Sequence, residues 1–317
     1  MHNIRTFLVT GGLGFIGTHL VTKLLADGHR VIAMDDLSNH SSDSLCEFSK
    51  SRNFDLIEHD VSKPLPHIER PIDKVFHLAA LVSVPDSFQN PLRTHQVNET
   101  GLINVLDFCR VNKVEKLVYA SSCAVYGNSD NVPLRESELV VPESPYGLTK
   151  LNNEYYARFY HQAYGTASVG LRFFNVYGPG QKPNSAYAGV ISIFMDRAMK
   201  DQEVTIYGNG GQIRDFVYVE DIARAMIAAA ESDASLDVFN IGTGIETSIN
   251  QLFDTISLAV NYNQKPNYAP VRLGDVEVSC SDPSKIEKRI GFKTKWNLKD
   301  GIMALFESMQ NSINPKP

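Results

Sequence analysis

Thr6-Phe7-Leu8-Val9-Thr10-Gly11-Gly12-Leu13-Gly14-Phe15-Ile16-Gly17 is the stretch whose reading decides the fold. Five β-favouring residues run straight into glycines at 11, 14 and 17, and a helical pattern to about Ala26 follows them. Glycines at this spacing let the backbone turn tightly, approach a pyrophosphate and pack helix on strand, while the helix N-terminus turns its N–H groups toward the anion. The next strand-like run, Arg30–Asp35, closes on Asp35. A carboxylate at that strand end accepts hydrogen bonds from both hydroxyls of an adenosine ribose and repels a 2′-phosphate, which predicts NAD rather than NADP. Asp36 adds to the repulsion. Asp60-Val61, after the third strand, reads either as a flank of the adenine or as a turn.

Outward from this unit, β-rich runs at residues 55–59, 74–78 and 116–120 alternate with helical patterns at 14–26 and 91–111. Parallel neighbours need crossover connections, and the crossovers cover the sheet, so the pattern predicts an α/β fold with a doubly wound parallel sheet. A helix over 146–164 and a strand over 167–172 continue it. Beyond Asn175 the character changes. Gly178-Pro179-Gly180 breaks the chain, and Gly208-Asn209-Gly210-Gly211 reads as a turn between strands at 204–207 and 213–219. Residues 1–174 are therefore expected to form a Rossmann domain for NAD, and 175–317 mostly a smaller α/β substrate lobe, with part of the later chain returning to the first.

The 317 residues are 43% hydrophobic and 21% charged, with no apolar run near the roughly 18 residues of a membrane span. Thirty Lys plus Arg against 36 Asp plus Glu leave a formal charge of −6, which gives no general attraction to nucleic acid or anionic lipid. The first residues run directly into an apolar strand, without the layout of an export signal. Cys46, Cys109, Cys123 and Cys280 are scattered, with no CxxC pair, so no zinc site or disulfide framework is expected. These features fit a reduced, cytoplasmic protein without a metal. Cys109 and Cys123 read as buried small hydrophobes, and His77 as a cofactor-pocket wall or core residue.

Tyr146-Gly147-Leu148-Thr149-Lys150 sets a phenol and an ammonium four residues apart, on one face of a helix start. A tyrosine of ordinary pKa, about 10, is a poor base near neutrality; a neighbouring Lys⁺ and a cationic nicotinamide both favour its phenolate. Ser121-Ser122 closes the strand that begins at Lys116, and strand carboxyl ends are where ligands sit in a doubly wound sheet.

These residues resemble the extended short-chain dehydrogenase/reductases, in their NAD-dependent nucleotide-sugar epimerase and dehydratase branch. The resemblance runs through TGGLGFIG, HLAA at 77–80, SSCAVYG at 121–127, YGLTK, LRFFNVYGPG at 171–180, RDFVYVEDIA at 214–223 and RLGDV at 272–276. It implies that Tyr146 is the catalytic base and acid, that Lys150 lowers its pKa and holds the nicotinamide ribose, and that Ser122 bonds the sugar hydroxyl being oxidised. It implies cofactor contacts from Gly11, Gly14, Phe15, Ile16, Gly17, Asp35, Asp60, Val61, Leu78, Ala79, Ala80 and Asn98. Dehydratases of the branch carry Asp and Glu after the serine; Cys123 and Ala124 stand there, which disfavours loss of water and points to epimerisation. The activity implied is that of a UDP-glucose or UDP-N-acetylglucosamine 4-epimerase. The alternatives are a UDP-glucuronate 4-epimerase, a nucleotide-sugar oxidoreductase with net turnover, and an NAD-sensing scaffold.

On the substrate side the resemblance implies Arg214 and Arg272 for the nucleotide diphosphate or its ribose, Asn175 for the pyrophosphate and Asp275 for the nucleotide ribose. Ser83 lies in a stretch similar to N-acetylhexosamine epimerases. Ser279 stands where the resemblance implies a wall beside the sugar C2 substituent, and a serine there would be a small one. Lys182, where many relatives have Asp, changes a charge on a loop near the substrate. Apolar faces on the helices at 91–111 and 146–164 lead us to expect a homodimer.

Overall fold

The computed structural model describes residues 4–40, 42–129, 131–183, 189–271 and 276–313. Its first elements follow the alternating pattern: β1 (Thr6–Thr10), α1 (Phe15–Ala26), β2 (Arg30–Asp35), α2 (Ser42–Phe48), β3 (Phe54–Glu58) and β4 (Lys74–His77). Then come α3 (Val84–Gln89), α4 (Pro91–His95), α5 (Gly101–Val111), β5 (Lys116–Ser122), α6 (Pro145–Tyr164) and β6 (Ser168–Phe173). The rest of the chain adds β7 (Asn175–Tyr177), α7 (Val190–Met199), β8 (Thr205–Tyr207), β9 (Ile213–Arg214), β10 (Phe216–Tyr218), α8 (Val219–Glu231) and β11 (Leu236–Ile241). It ends with β12 (Thr247–Ser248), α9 (Ile249–Val260), β13 (Asn267–Ala269), β14 (Val278–Ser279), α10 (Ser284–Ile290) and α11 (Leu298–Ile313).

Two compact units emerge. The first comprises residues 1–125, 140–172 and 223–239, and the second residues 126–139, 173–222 and 240–317. The first unit is built on a seven-stranded parallel sheet of order β11-β6-β5-β4-β1-β2-β3. Its strand order reverses beside β1, the topological switch point at which open α/β sheets bind ligands. β1 registers with β2 through Leu8↔Ile32 and with β4 through Leu8↔Val75. Strands buried on both faces must be apolar throughout, and Leu8, Val9, Val75, Leu117 and Val118 are all fully enclosed.

The helix expected at 91–111 contains an interruption. Residues Gln96–Thr100 form a π-turn between α4 and α5, and this wide turn carries the fully buried Asn98. Periodicity alone cannot register a single extra residue per turn.

The second unit has its own apolar core, in which Phe194 and Met195 of α7 meet Leu252, Phe253 and Ile256 of α9 and Ile302 and Leu305 of α11. The glycine turn at 208–211 is present, with Gly208 and Gly210 at positive φ, yet its flanking strands do not form a hairpin. β8 pairs in parallel with β13, whereas β9 pairs with β12 and β14. The strand expected over 213–219 is likewise broken at Asp215, whose buried carboxylate accepts hydrogen bonds from Thr243, Gly244 and Ser281. Among the described residues, no helix is long and apolar enough to cross a membrane, and no group of three or more His, Cys, Asp or Glu could hold a metal ion.

Candidate active site

The glycine loop closes on itself so tightly that side chains are excluded from it. Gly11 has φ +66°, and a Cβ there would lie 2.7 Å from the Ala79 nitrogen. At Gly17 a Cβ would come within 2.0 Å of the Gly11 carbonyl oxygen. Gly14 precedes α1 in an extended conformation with no side chain capping the helix, so the first-turn amides near Phe15 and Ile16 are presented as an anion site. Asp35 is buried at the end of β2, where it accepts from Leu13 N at 3.0 Å and Leu37 N at 3.0 Å. Burial raises its pKa against those two bonds. A tight glycine cradle, uncapped helix amides and a carboxylate at the neighbouring strand end fit the pyrophosphate and adenosine ribose of NAD. A Gly17→Ala variant is expected to lose bound NAD by about tenfold or more, because a backbone clash must open the loop. NAD released on denaturing the purified variant measures this, and wild-type occupancy would refute it.

The other cofactor candidates divide. Leu78, Ala79 and Ala80 follow β4 directly, and the Asn98 amide pins the next residue, accepting from Leu81 N at 2.8 Å and donating to Leu81 O at 2.9 Å and Thr149 Oγ1 at 3.2 Å. Asn98 therefore shapes the wall with its amide already engaged. Asp60 pairs with Arg93 at 3.1 Å and accepts from Ser62 N, the local turn foreseen as the alternative. Val61 packs its side chain into the core against Gly101, and its carbonyl accepts from Asn104.

His77 is 2% exposed and its Nδ1 lies 2.7 Å from Thr10 Oγ1. Burial, aided by the Lys150 charge, lowers its pKa to about 3. Between pH 6.5 and about 3 the unfolded chain takes a proton that the folded chain refuses, so stability falls as pH falls through that window. His77→Asn is expected to flatten this acid limb by about 3 kcal/mol in urea unfolding between pH 7 and 4. Limbs that run parallel in the two proteins would show that His77 does not cause it.

α6 begins with Ser144 accepting from Gly147 N and Pro145 at its first position, so Tyr146 lies in the first turn. There the helix dipole favours an anion. Gly147 permits the approach, since a Cβ would sit 2.6 Å from Ala124 O. The phenol is buried, and burial pushes it up to about 12 while a hydrogen bond with the Ser122 side chain pulls it down. Lys150, one turn on, is 2% exposed; its Nζ donates to Ala120 O at 2.9 Å and lies 5.8 Å from the centre of the Tyr146 ring. Burial lowers the ammonium to about 8. The structure thus brings Ser122, Tyr146 and Lys150 together. In the protein alone, Ser122 is the group that opposes the rise of the phenol. Cys123 is partly exposed beside Tyr146, whereas Cys109 is buried in the core as foreseen.

In the second unit, Arg214 of β9 and Ser279 of β14 are direct register partners. Arg214 Nη1 donates to Ile213 O at 2.8 Å, and Ser279 is buried. Asn175 opens β7 opposite Phe216. Ser83, in the first unit, caps α3 by accepting from Asp86 N at 3.2 Å. Arg272 and Asp275 lie outside the described residues.

Residues 7–242 match the NAD dependent epimerase/dehydratase family. The chain is 38% identical over 306 residues to a putative UDP-glucose 4-epimerase of Methanocaldococcus jannaschii, covering 96% of this chain and 98% of that one. Among solved structures it resembles a UDP-glucose 4-epimerase of Thermotoga maritima with UDP-glucose, at TM-score 0.92 and 36% identity, covering 98% of this chain and 100% of that one. It equally resembles a UDP-N-acetylglucosamine 4-epimerase of Methanobrevibacter ruminantium M1 in complex with UDP-N-acetylmuramic acid, at TM-score 0.92, 37% identity, and 98% and 99% coverage. With a family match across most of its length and a loop that fits the dinucleotide, the chain belongs to the NAD dependent epimerase/dehydratase family and is an NAD-using isomerase.

Proposed function

We propose that this protein is a 4-epimerase of UDP-hexoses, accepting the 2-acetamido form, and that residues 1–174 chiefly hold NAD while 175–317 chiefly bind the nucleotide sugar. The observation that carries the reading is the buried Ser122–Tyr146–Lys150 group at the carboxyl end of β5, with neither an acid nor a base at Cys123 or Ala124. Tyr146 takes the proton of the sugar 4-hydroxyl, and Ser122 holds that hydroxyl by hydrogen bond. Bound NAD supplies a hydride acceptor for C4 and a positive ring charge beside the phenol. When the other face of the sugar ring is presented, Tyr146 returns the proton to the oxygen at C4. Lys150 keeps a positive charge under the phenol and bonds the nicotinamide ribose. Arg214 grips the nucleotide, for which a planar guanidinium meeting two oxygens is suited. Asn175 contacts the pyrophosphate.

Ser279 supports acceptance of the bulkier sugar, because a small side chain beside Arg214 in the strand register leaves room for a C2 acetamido group. Ser279→Tyr is expected to lower turnover of UDP-N-acetylglucosamine about tenfold or more while that of UDP-glucose changes less, a ratio read from parallel progress curves. Equal losses would refute the assignment. The decisive experiment incubates purified protein, without added cofactor, with UDP-glucose, UDP-N-acetylglucosamine and UDP-glucuronate, and follows axial 4-hydroxyl products by NMR. Epimers forming from the first two are expected. NADH accumulating in step with sugar loss would overturn epimerisation in favour of net oxidation, and turnover of UDP-glucuronate alone would move the substrate.

The assembly proposed is a homodimer through α6, whose Leu148, Tyr155 and Phe159 recur at helical spacing and are about half exposed. Its site is the cytoplasm, where four free cysteines remain reduced.

A further inference from the structure

Three successive residues at the end of β5 face α6 at positions one turn apart. Ser122 stands beside Tyr146 with its Oγ accepting from Ala124 N at 3.1 Å, the Ala120 carbonyl accepts from Lys150 Nζ at 2.9 Å, and Ser121 Oγ donates to Glu154 Oε1 at 2.6 Å. The third tie ends in a fork, since Arg172 of β6 reaches Glu154 through Nε at 2.9 Å and Nη2 at 2.6 Å. Ser121, Glu154 and Arg172 are 2%, 8% and 5% exposed. A buried ion pair contributes little net stability, because desolvation of both charges offsets their attraction; apolar replacements of such pairs are often as stable or more so. Its geometric effect is different. A bidentate guanidinium–carboxylate pair admits one orientation, and that orientation fixes where the carboxylate can receive Ser121.

We infer that Glu154, oriented by Arg172, is a positioning residue that holds Ser121 and thereby sets the separation of Ser122 from Tyr146. Glu154 lies two helical turns beyond Tyr146 on the same face of α6, and Ser121 is covalently next to Ser122. The carboxylate therefore acts on both partners of the reacting pair without touching either. The groups facing Tyr146 are Lys150 from α6 and Ser122 and Cys123 from the end of β5. Those facing Glu154 are Arg172 from β6 and Ser121 and Tyr119 from β5. Loss of the Ser121 tie should let the Ser122 hydroxyl drift from the phenol, leaving burial less opposed, so the limb on which the rate rises with pH moves to higher pH.

The turnover arm of the test rests on the epimerase reading; the structural arm does not. Ser121→Ala in the NAD-loaded protein is expected to lower kcat for UDP-sugar epimerisation about tenfold, with KM and NAD occupancy within about twofold of wild type. Ser121→Thr, which keeps the hydroxyl, should restore most of the rate. Crystal structures of NAD-loaded wild type and Ser121→Ala should differ by about 0.5 Å or more in the Ser122 Oγ to Tyr146 Oη distance. A Ser121→Ala protein with that distance unchanged overturns the inference, as does one with wild-type kcat and pH profile. If wild type turns over no UDP-sugar, the epimerase reading fails, and the crystallographic distance alone decides this one.

Discussion

Tyr146→Phe is expected to lower kcat for epimerisation by about 10³-fold while NAD content and fold stay as in wild type, because a positioned proton-transfer group contributes about 10²–10⁴. The substitution keeps the ring that packs at the start of α6 and removes only the phenolic oxygen beside Ser122. Product formation by NMR measures the rate, and the absorbance of NAD released on denaturation measures occupancy. The two readouts separate chemistry from binding. A loss smaller than tenfold would mean that the proton leaves the sugar by another route, and a parallel loss of NAD would mean that Tyr146 serves the cofactor instead. A silent scaffold predicts no turnover in either protein, so the wild-type rate rejects that reading before the variant is tested.

The grouping of Tyr146, Lys150 and Ser122 was legible because the chain carries these residue types within one strand end and one helix turn. The same holds for Gly11, Gly14, Gly17 and Asp35, where the glycine positions follow from steric exclusion. What escaped sequence reading depends on long-range pairing. Nothing local indicates that Glu154 answers Arg172, 18 residues on, or that both serve Ser121. The core packing of the Val61 side chain against Gly101 is one such pairing, since nothing near Val61 in sequence points to Gly101. Asn98 was placed near the cofactor by resemblance, while the π-turn that lets its amide clamp Leu81 leaves no periodic trace in the sequence. Asp215 was passed over between Arg214 and Phe216. An acid inside an apolar strand run was the available signal, since burial demands several donors for a carboxylate, and the structure supplies them from three other residues.

Lys150→Met should separate stability from activity, raising the first and lowering the second. Burial brings the Lys150 ammonium from an ordinary 10.5 to about 8. Between those values the unfolded chain holds a proton that the folded chain has released, so stability rises with pH across that window. Below about 8 both states are charged and the full cost of burying the ammonium is present. Methionine has similar length and no charge to desolvate. It leaves the Ala120 carbonyl without its donor, a loss of about 1 kcal/mol or more, against a relief of up to about 3 kcal/mol at pH 7. The expected net gain is about 1–2 kcal/mol, seen as a Tm higher by a few degrees in NAD-free protein, together with a Tm that no longer climbs between pH 8 and 10.5. Turnover should fall about 10²-fold, because the positive charge under the phenol and a nicotinamide ribose contact are removed together. A variant less stable than wild type at pH 7 would show that the Ala120 bond outweighs desolvation, and that Lys150 serves the fold as well as the chemistry.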